Sequence, residues 1–288
     1  MATRQAHIVG KWALMPSVLV LSGWAFIPLA LTFYFAFLSY NLQDPENTGW
    51  AGLSNFYYFF KDPFFVKDLI NTIVLVVGVI VTTVVGGVFL ALLLDQKFWG
   101  RGIVRLLVIA PFFIMPTVSS LVWKNLIMHP VFGLTAEIQR FFGEHQPFDW
   151  FGRAPLFSVG LIVAWQWLPY AALILLTALQ SLDEEQKDAA QMDGANAVNY
   201  FWHIVLPHLA RPITVVILIE TIFILNVFAE IKVTSVGGFA GNLTYLVFSQ
   251  LNDANDVGMA AAGGLVAVVL ANIVSALLVR FVGKNLEA

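Results

Sequence analysis

Long apolar runs alternate with shorter polar stretches along almost the whole chain. A helix needs about 20 mostly apolar residues to cross a bilayer. On that measure the pattern predicts about six spanning helices, over residues 12–40, 69–94, 103–126, 156–179, 213–233 and 257–282. Pro16, Pro28, Pro111, Pro116 and Pro169 fall inside these runs. Membranes tolerate that, because neighbouring helices and trapped water satisfy the carbonyls a proline frees. The expected fold class is therefore all-α and integral to a membrane, a single transmembrane domain over 1–288 with its core near 69–282.

One polar stretch stands apart: residues 181–212, SLDEEQKDAAQMDGANAVNYFWHIVLPHLARP, between the fourth and fifth runs. A segment this polar has to leave the hydrocarbon. Ser181 and Glu184 have the spacing of a capping box at a helix start. Asp183, Glu184 and Glu185 then fall in the first turn, where the helix dipole favours negative charge. Gly194 ends that helix by taking a left-handed conformation, Asn196 caps a second one, and Pro207, lacking an N–H, bounds it.

Basic residues in short loops set orientation. Lys97, Arg101, Arg105, Lys187 and Arg211 share one side with Arg4, Lys11, Arg280 and Lys284 at the two ends. Lys61, Lys67, Lys124, Arg140, Arg153 and Lys232 fall on the other. The larger set marks the cytoplasmic side, which places both termini and the 181–212 loop there. The opposite loops differ in character. Residues 41–68 are rich in Phe and Tyr and are expected to lie flat at the membrane interface. Residues 129–153 resemble a lid, and 236–256 form a glycine-containing loop.

Composition narrows the class. Only 11% of residues are charged, against about 25% in a soluble domain, so no soluble reading survives. The first run is too long for a cleavable leader and reads as a retained span. The chain has no cysteine, which excludes disulfides, zinc–thiolate sites and thiol catalysis. No phosphate-cradling G-x-x-x-x-G-K-[ST], no H-E-x-x-H and no G-x-S-x-G occur, so neither nucleotide binding nor hydrolytic catalysis is expected of this chain. His203 and His208 lack a third ligand at helical spacing, so no metal is expected. No basic patch interleaved with aromatics points to nucleic acid.

Polar residues at membrane depth are the remaining chemistry. Glu220 sits about two turns into the fifth run, where an ionisable residue costs about 2.5–3.5 kcal/mol on insertion scales and faces a cavity or a partner. Asn226, Glu230 and Lys232 follow on the same predicted helix, the last two expected to snorkel to the interface. In the fourth run, Trp165, Gln166, Trp167 and Tyr170 form a polar-aromatic patch beside Pro169, with Gln166 and Tyr170 one turn apart. Aromatic faces stack on the C–H surface of a sugar or polyol, and amides match its hydroxyls.

These residues also resemble a family. Permease subunits of bacterial ATP-binding cassette importers carry E-A-A-x-x-x-G, nine residues, then I-x-L-P. Here Asp188, Ala189, Ala190, Gly194, Ile204, Leu206 and Pro207 fall at that spacing, with Asp188 in place of the usual Glu. Gly100-Arg101-Gly102, Ala110-Pro111-Phe112 and Phe228-Ala229-Glu230 are similar to the carbohydrate branch of that family, of maltose type. Asn242-Leu243-Thr244 and the entry to the last run are similar to mannitol and sorbitol permeases, although Phe239 stands where many relatives have Pro.

The resemblance implies a subunit of the bacterial inner membrane that moves a polyol or sugar by ATP-driven alternating access. Its partners would be a second permease, two ATPase subunits that bind ATP and Mg, a solute-binding protein and membrane lipid. The loop would be the coupling element, with Asp188 bonded to a basic residue of an ATPase. Counted without gaps from that loop, the family's substrate positions fall on Val163, Gln166, Trp167, Tyr170, Glu220, Phe223 and Ile224. Two other readings remain on the residues alone. One is an ion- or proton-coupled secondary transporter using Glu220; the other is a membrane scaffold that uses the loop only for docking.

Overall fold

The structure is a computed structural model that describes residues 4–283. Lys284 and both chain ends, which entered the orientation argument, lie outside the described residues, as do the side chains of Arg4, Lys11, Glu184 and Arg280. In chain order the elements begin with helix α1 (Arg4–Ala36), a hairpin of β1 (Leu38–Asn41) and β2 (Asp44–Trp50), α2 (Ser54–Lys61) and α3 (Phe65–Asp95). Then come α4 (Arg101–Ile109), α5 (Pro116–Val122), α6 (Leu134–Phe141), α7 (Trp150–Arg153) and α8 (Pro155–Leu179). The chain continues through α9 (Glu184–Met192), α10 (Ala197–Tyr200) and α11 (Leu206–Ile224). It closes with α12 (Ala229–Thr234), α13 (Gly237–Ala240), α14 (Leu243–Asn252) and α15 (Val257–Gly283). The architecture is all-α apart from the hairpin, and among the described residues five helices are long and apolar enough to span a membrane, or six with one bent pair.

Contacts gather the chain into two compact units, Met1–Phe65 with Leu246–Val269, and Val66–Tyr245 with Leu270–Ala288. In the first, α1 stops at Ala36, four residues before the expected end of the run. Asn55 donates its amide hydrogens to the carbonyl of Ala36 (2.9 Å), which would otherwise be orphaned at the helix end, and to that of Leu38 (2.8 Å) at the start of β1. The aromatic stretch over residues 41–68 folds as most of the hairpin and α2. Phe59 is fully buried over Gly263, where a side chain would overlap its ring, while Tyr57, Tyr58 and Phe60 stay exposed.

The second unit is built on α3, α8 and α11. Leu75 and Val79 of α3 meet Val159 and Val163 of α8 and Ile224 of α11 in one buried cluster. Ala91, Leu175, Leu179, Val205 and Leu209 form another. Glycine lets α3 and α8 approach: a Cβ on Gly87 would stand 2.8 Å from the Ala171 Cβ and 3.2 Å from α8 backbone. Small residues at such crossings are how membrane helices gain contact, since lipid offers no hydrophobic driving force between them.

Three expectations need correction. The 103–126 run is not one helix: α4 runs on through a 3₁₀ turn to Phe113, breaks at Ile114–Met115, and resumes as α5 with axes bent by 105°. Pro116 causes this, because it has no N–H and keeps Met115 out of the helical region, at ψ 135°. The fifth run is displaced. Its helix is continuous over Ala197–Ile224 and stops there, so Asn226, Glu230 and Lys232 do not follow on it. Asn242 takes the Val227 carbonyl (2.6 Å) and Thr244 the Leu225 carbonyl (3.1 Å), which lets the chain turn. Glu230 then lies in the separate α12 with 5% of its surface exposed, buried rather than snorkelling. Finally, residues 236–256 are mostly helical, as α13 and α14, rather than an open loop.

The Gly87 contact yields a matched test. Gly87→Ala should separate α3 from α8 and lower the thermal stability of the purified protein by about 1–3 kcal/mol, the usual range for overpacking. Gly78→Ala, on the same helix with nothing within 4 Å of the added carbon, should leave it unchanged. Equal melting temperatures for the two variants would show that the close crossing is absent.

Candidate functional site

The polar stretch folds as a helical hairpin. Asp183, not Ser181, caps α9: its Oδ1 accepts from the Glu185 N–H at 3.0 Å. Ser181 belongs to the end of α8, where its hydroxyl donates to the Ala178 carbonyl at 2.7 Å; the Glu184 side chain of the expected capping box lies outside the described residues. Gly194 does take the left-handed conformation (φ +76°), and the Ala195 N–H closes back on the Ala190 carbonyl at 2.9 Å. Asn196 caps α10 by accepting from the Asn199 N–H at 2.8 Å. Pro207 does not bound that helix. A π turn over Phe201–Val205, closed by the Leu206 N–H on the Phe201 carbonyl, shifts the register and carries the chain directly into α11. Pro207 follows directly after the π turn, at the start of α11.

Between the two arms lies a groove of about 490 Å³ that brings together Ala189, Ala190 and Ile204. Asp188 and Gly194 are exposed, Leu206 is half-buried, and Pro207 is exposed on a separate surface with Ser181 and His208. Both histidines of the hairpin are used locally. His203 Nδ1 lies 2.9 Å from the Asn199 carbonyl, and His208 Nε2 lies 2.9 Å from that of Ala178.

Further along α8 and α11, a cavity of about 300 Å³ is walled by Phe112, Ile114, Pro116, Gln166, Trp167, Tyr170, Ile219 and Phe223. Four rings frame it. Phe112 stacks on Tyr170 (centroids 5.7 Å, 23°) and meets Trp167 edge-on (5.6 Å, 79°). Phe223 leans on Trp167 at 5.0 Å. Gln166, buried, donates its amide to the Ile114 carbonyl at 2.8 Å, across the break in the bent span. Ile114 is extended (ψ 133°), so that carbonyl belongs to neither helical ladder, and a backbone group left unpaired at membrane depth costs several kcal/mol. Gln166 removes that cost, while its own Oε1 stays buried without a partner.

Other expected positions separate from this wall. Val163 and Ile224 are fully buried in the apolar cluster with α3. Glu220 is fully buried too, and accepts a 2.5 Å hydrogen bond on Oε2 from Thr83 of α3, leaving Oε1 unpartnered. Trp165 packs edge-on against Trp123 at 5.6 Å, away from the four rings. Thus Gln166, Trp167, Tyr170 and Phe223 come together, and Val163, Glu220 and Ile224 stand behind them. Sequence reasoning missed Phe112, Ile114, Pro116, Ile219 and Thr83 as members of the region. The pair Pro111 and Pro116 is a signal that could have located the break; Thr83, 137 positions from Glu220, leaves none beyond being polar in an apolar run.

Residues 83–287 match the family described as "Binding-protein-dependent transport system inner membrane component". The probable ABC transporter permease protein y4oQ of Sinorhizobium fredii is 31% identical over 237 residues, 81% of this chain and 75% of its own. The trehalose/maltose transport system permease protein MalF of Thermococcus litoralis is 28% identical over 272 residues, 93% of this chain and 90% of its own. A solved bacterial ABC transporter involved in the import of the acidic polysaccharide alginate shares the fold. Its chain aligns at TM-score 0.83 over 97% of this one and 96% of itself, at 19% identity.

The Thr83–Glu220 bond can be tested by mutation. Thr83→Val leaves a buried carboxyl with no donor and should lower thermal stability by about 1–3 kcal/mol, the cost of an unmade buried hydrogen bond. Glu220→Gln, which keeps an oxygen for Thr83 to donate to, should cost clearly less. A Thr83→Val protein that melts with the wild type would remove the bond from the account.

Proposed function

The chain belongs to the binding-protein-dependent transport system inner membrane components, and on that premise we propose that it lines the path of a sugar through an ATP-driven importer. It is a multi-pass permease subunit of an ATP-binding cassette importer of the carbohydrate branch. Subunits of this kind move solute and leave catalysis to others; here a pair of ATPase subunits would bind ATP and Mg. A second permease would complete the pore, and a solute-binding protein would deliver the ligand from the far side. Both termini and the 181–212 hairpin would face the cytoplasm.

One observation carries this reading: the hairpin and the cavity share a single continuous helix. The helix is continuous from Ala197 to Ile224, so Ile204 in the hairpin groove and Phe223 in the cavity wall lie on one rod. At 1.5 Å per residue they are about 28 Å apart along it. An ATPase that grips the hairpin, with Asp188 accepting a charge-assisted bond from a basic side chain, would move the attached α8 and α11, and with them the cavity wall. Trp167 and Tyr170 offer ring faces to the C–H surface of a sugar. ATP binding would then bias a two-state assembly between openings on either side of the membrane.

A hydroxyl-rich carbohydrate fits the ring-framed cavity. Relatives with a printed cargo name trehalose and maltose, and one names sn-glycerol-3-phosphate, which supports a sugar over the narrower mannitol- or sorbitol-type polyol. The secondary-transporter alternative would need Glu220 in the path, whereas here it stands behind the cavity wall, bonded to Thr83.

Co-purification is the test. Tagged wild-type chain should bring down an ATPase and a second permease, and the complex should take up maltose or trehalose only with ATP and a binding protein. Asp188→Lys should cut ATPase recovery tenfold or more, since a charge-assisted bond is worth about 1.5–3 kcal/mol. Uptake by the chain alone, or full ATPase recovery with Asp188→Lys, would refute the coupling assignment.

A further inference from the structure

The cavity wall contributed by the bent span depends on one side chain outside it. Phe112 and Pro116 flank the break, and both line the cavity. Nothing in either half of the bent span bonds the Ile114 carbonyl between them; its hydrogen-bond donor is Gln166 of α8, at 2.8 Å. The amide can sit only one way round, because an oxygen turned toward that carbonyl would set two acceptors against each other. Its Oε1 is consequently left buried and unpartnered. Leu or Met would fill the same place without that orphaned atom, so packing does not explain an amide here. The need for an N–H at Ile114 does.

We infer that Gln166 is the positioning residue of the cavity: by holding the Ile114 carbonyl it fixes the break, and with it the stance of Phe112 and Pro116 toward Trp167 and Tyr170. The inference rests on the importer reading for what the cavity holds, but not for the clamp itself. It also changes the part Gln166 plays. Its hydrogens are committed to backbone, so it acts on the ligand through the wall it sets, as an organiser of the aromatic frame.

The absence of native cysteine makes the break directly readable, because one introduced thiol in this chain is unique. Met115, at the break and 67% exposed, is the place for it. In the complete importer in lipid nanodiscs, maleimide labelling of Met115→Cys would be timed with Gln166 intact and with Gln166→Leu and Gln166→His. Maltose uptake by the same complexes gives KM and kcat. Leu has no donor, so it should speed labelling about fivefold or more and raise KM about tenfold, with kcat changed much less. His reaches about as far as Gln and carries an N–H, so it should restore both readings to within about twofold. Labelling of Gln166→Leu at the wild-type rate would overturn the clamp, as would Gln166→His failing like Leu at equal membrane abundance. A wild-type complex that takes up neither maltose nor trehalose would sink the carbohydrate reading instead, and the labelling rates would still decide the clamp.

Discussion

Backbone carbonyls that leave a helix at membrane depth have no water to turn to, and that shortage organises this structure. Wherever a span is broken, a side chain from elsewhere supplies the missing donor. Gln166 serves Ile114, Asn242 serves Val227, Thr244 serves Leu225, and Lys124 reaches Val233 at 3.3 Å. These polar residues look anomalous in an apolar chain until the carbonyl each one satisfies is identified. Each break in turn creates concave surface that a straight helix could not. The cavity exists because the third run bends, and the bend is tolerable because α8 carries an amide opposite it.

Rigidity is distributed to match. Two buried clusters and the Gly87–Ala171 crossing bind α3 and α8 closely, and α11 packs onto α8 through Val205, Leu209 and Ile224. The hairpin, by contrast, is largely solvent-facing and held by caps and turns, Asp183, Gly194 and Asn196. Such an element keeps its own shape without being locked into a core, which suits a part that is to be gripped and moved. Glu220 and Thr83 add a polar tie between α11 and α3 behind the cavity.

What the sequence made legible follows from the range of the interactions involved. The apolar runs and the turn chemistry of the hairpin are local, and they located most spans, Gly194 and Asn196. The polar-aromatic patch of Gln166, Trp167 and Tyr170 was legible because one helix carries all three. Errors arose where distant groups compete with local signals. Hydropathy alone ran the third span straight through Pro116, because it does not weigh a lost N–H. It carried the fifth span past Ile224, because the donors that permit the turn lie at Asn242 and Thr244. Ser181 matched a capping pattern, yet Asp183 was nearer the helix start, and the hydroxyl found the end of α8 instead. Val163 lies on the same stripe of α8 as Trp167 and Tyr170 but one turn earlier, where it meets the apolar cluster with α3 instead of the cavity, and Ile224 is turned about 100° from Phe223 into that cluster; counting along the chain does not say at which level the cavity opens.

The π turn at Phe201–Val205 bears on how the hairpin and the cavity can be tuned apart. A π turn accommodates one residue more than an α turn would, and each residue of an α-helix advances about 100° around its axis. The turn therefore works as a phase shifter between two machines on one shaft. The arm before it carries Ala189 and Ala190 of the groove, and the helix after it carries Ile219 and Phe223 of the cavity wall. Losing that extra residue would leave both surfaces chemically intact yet point them in directions that no longer correspond.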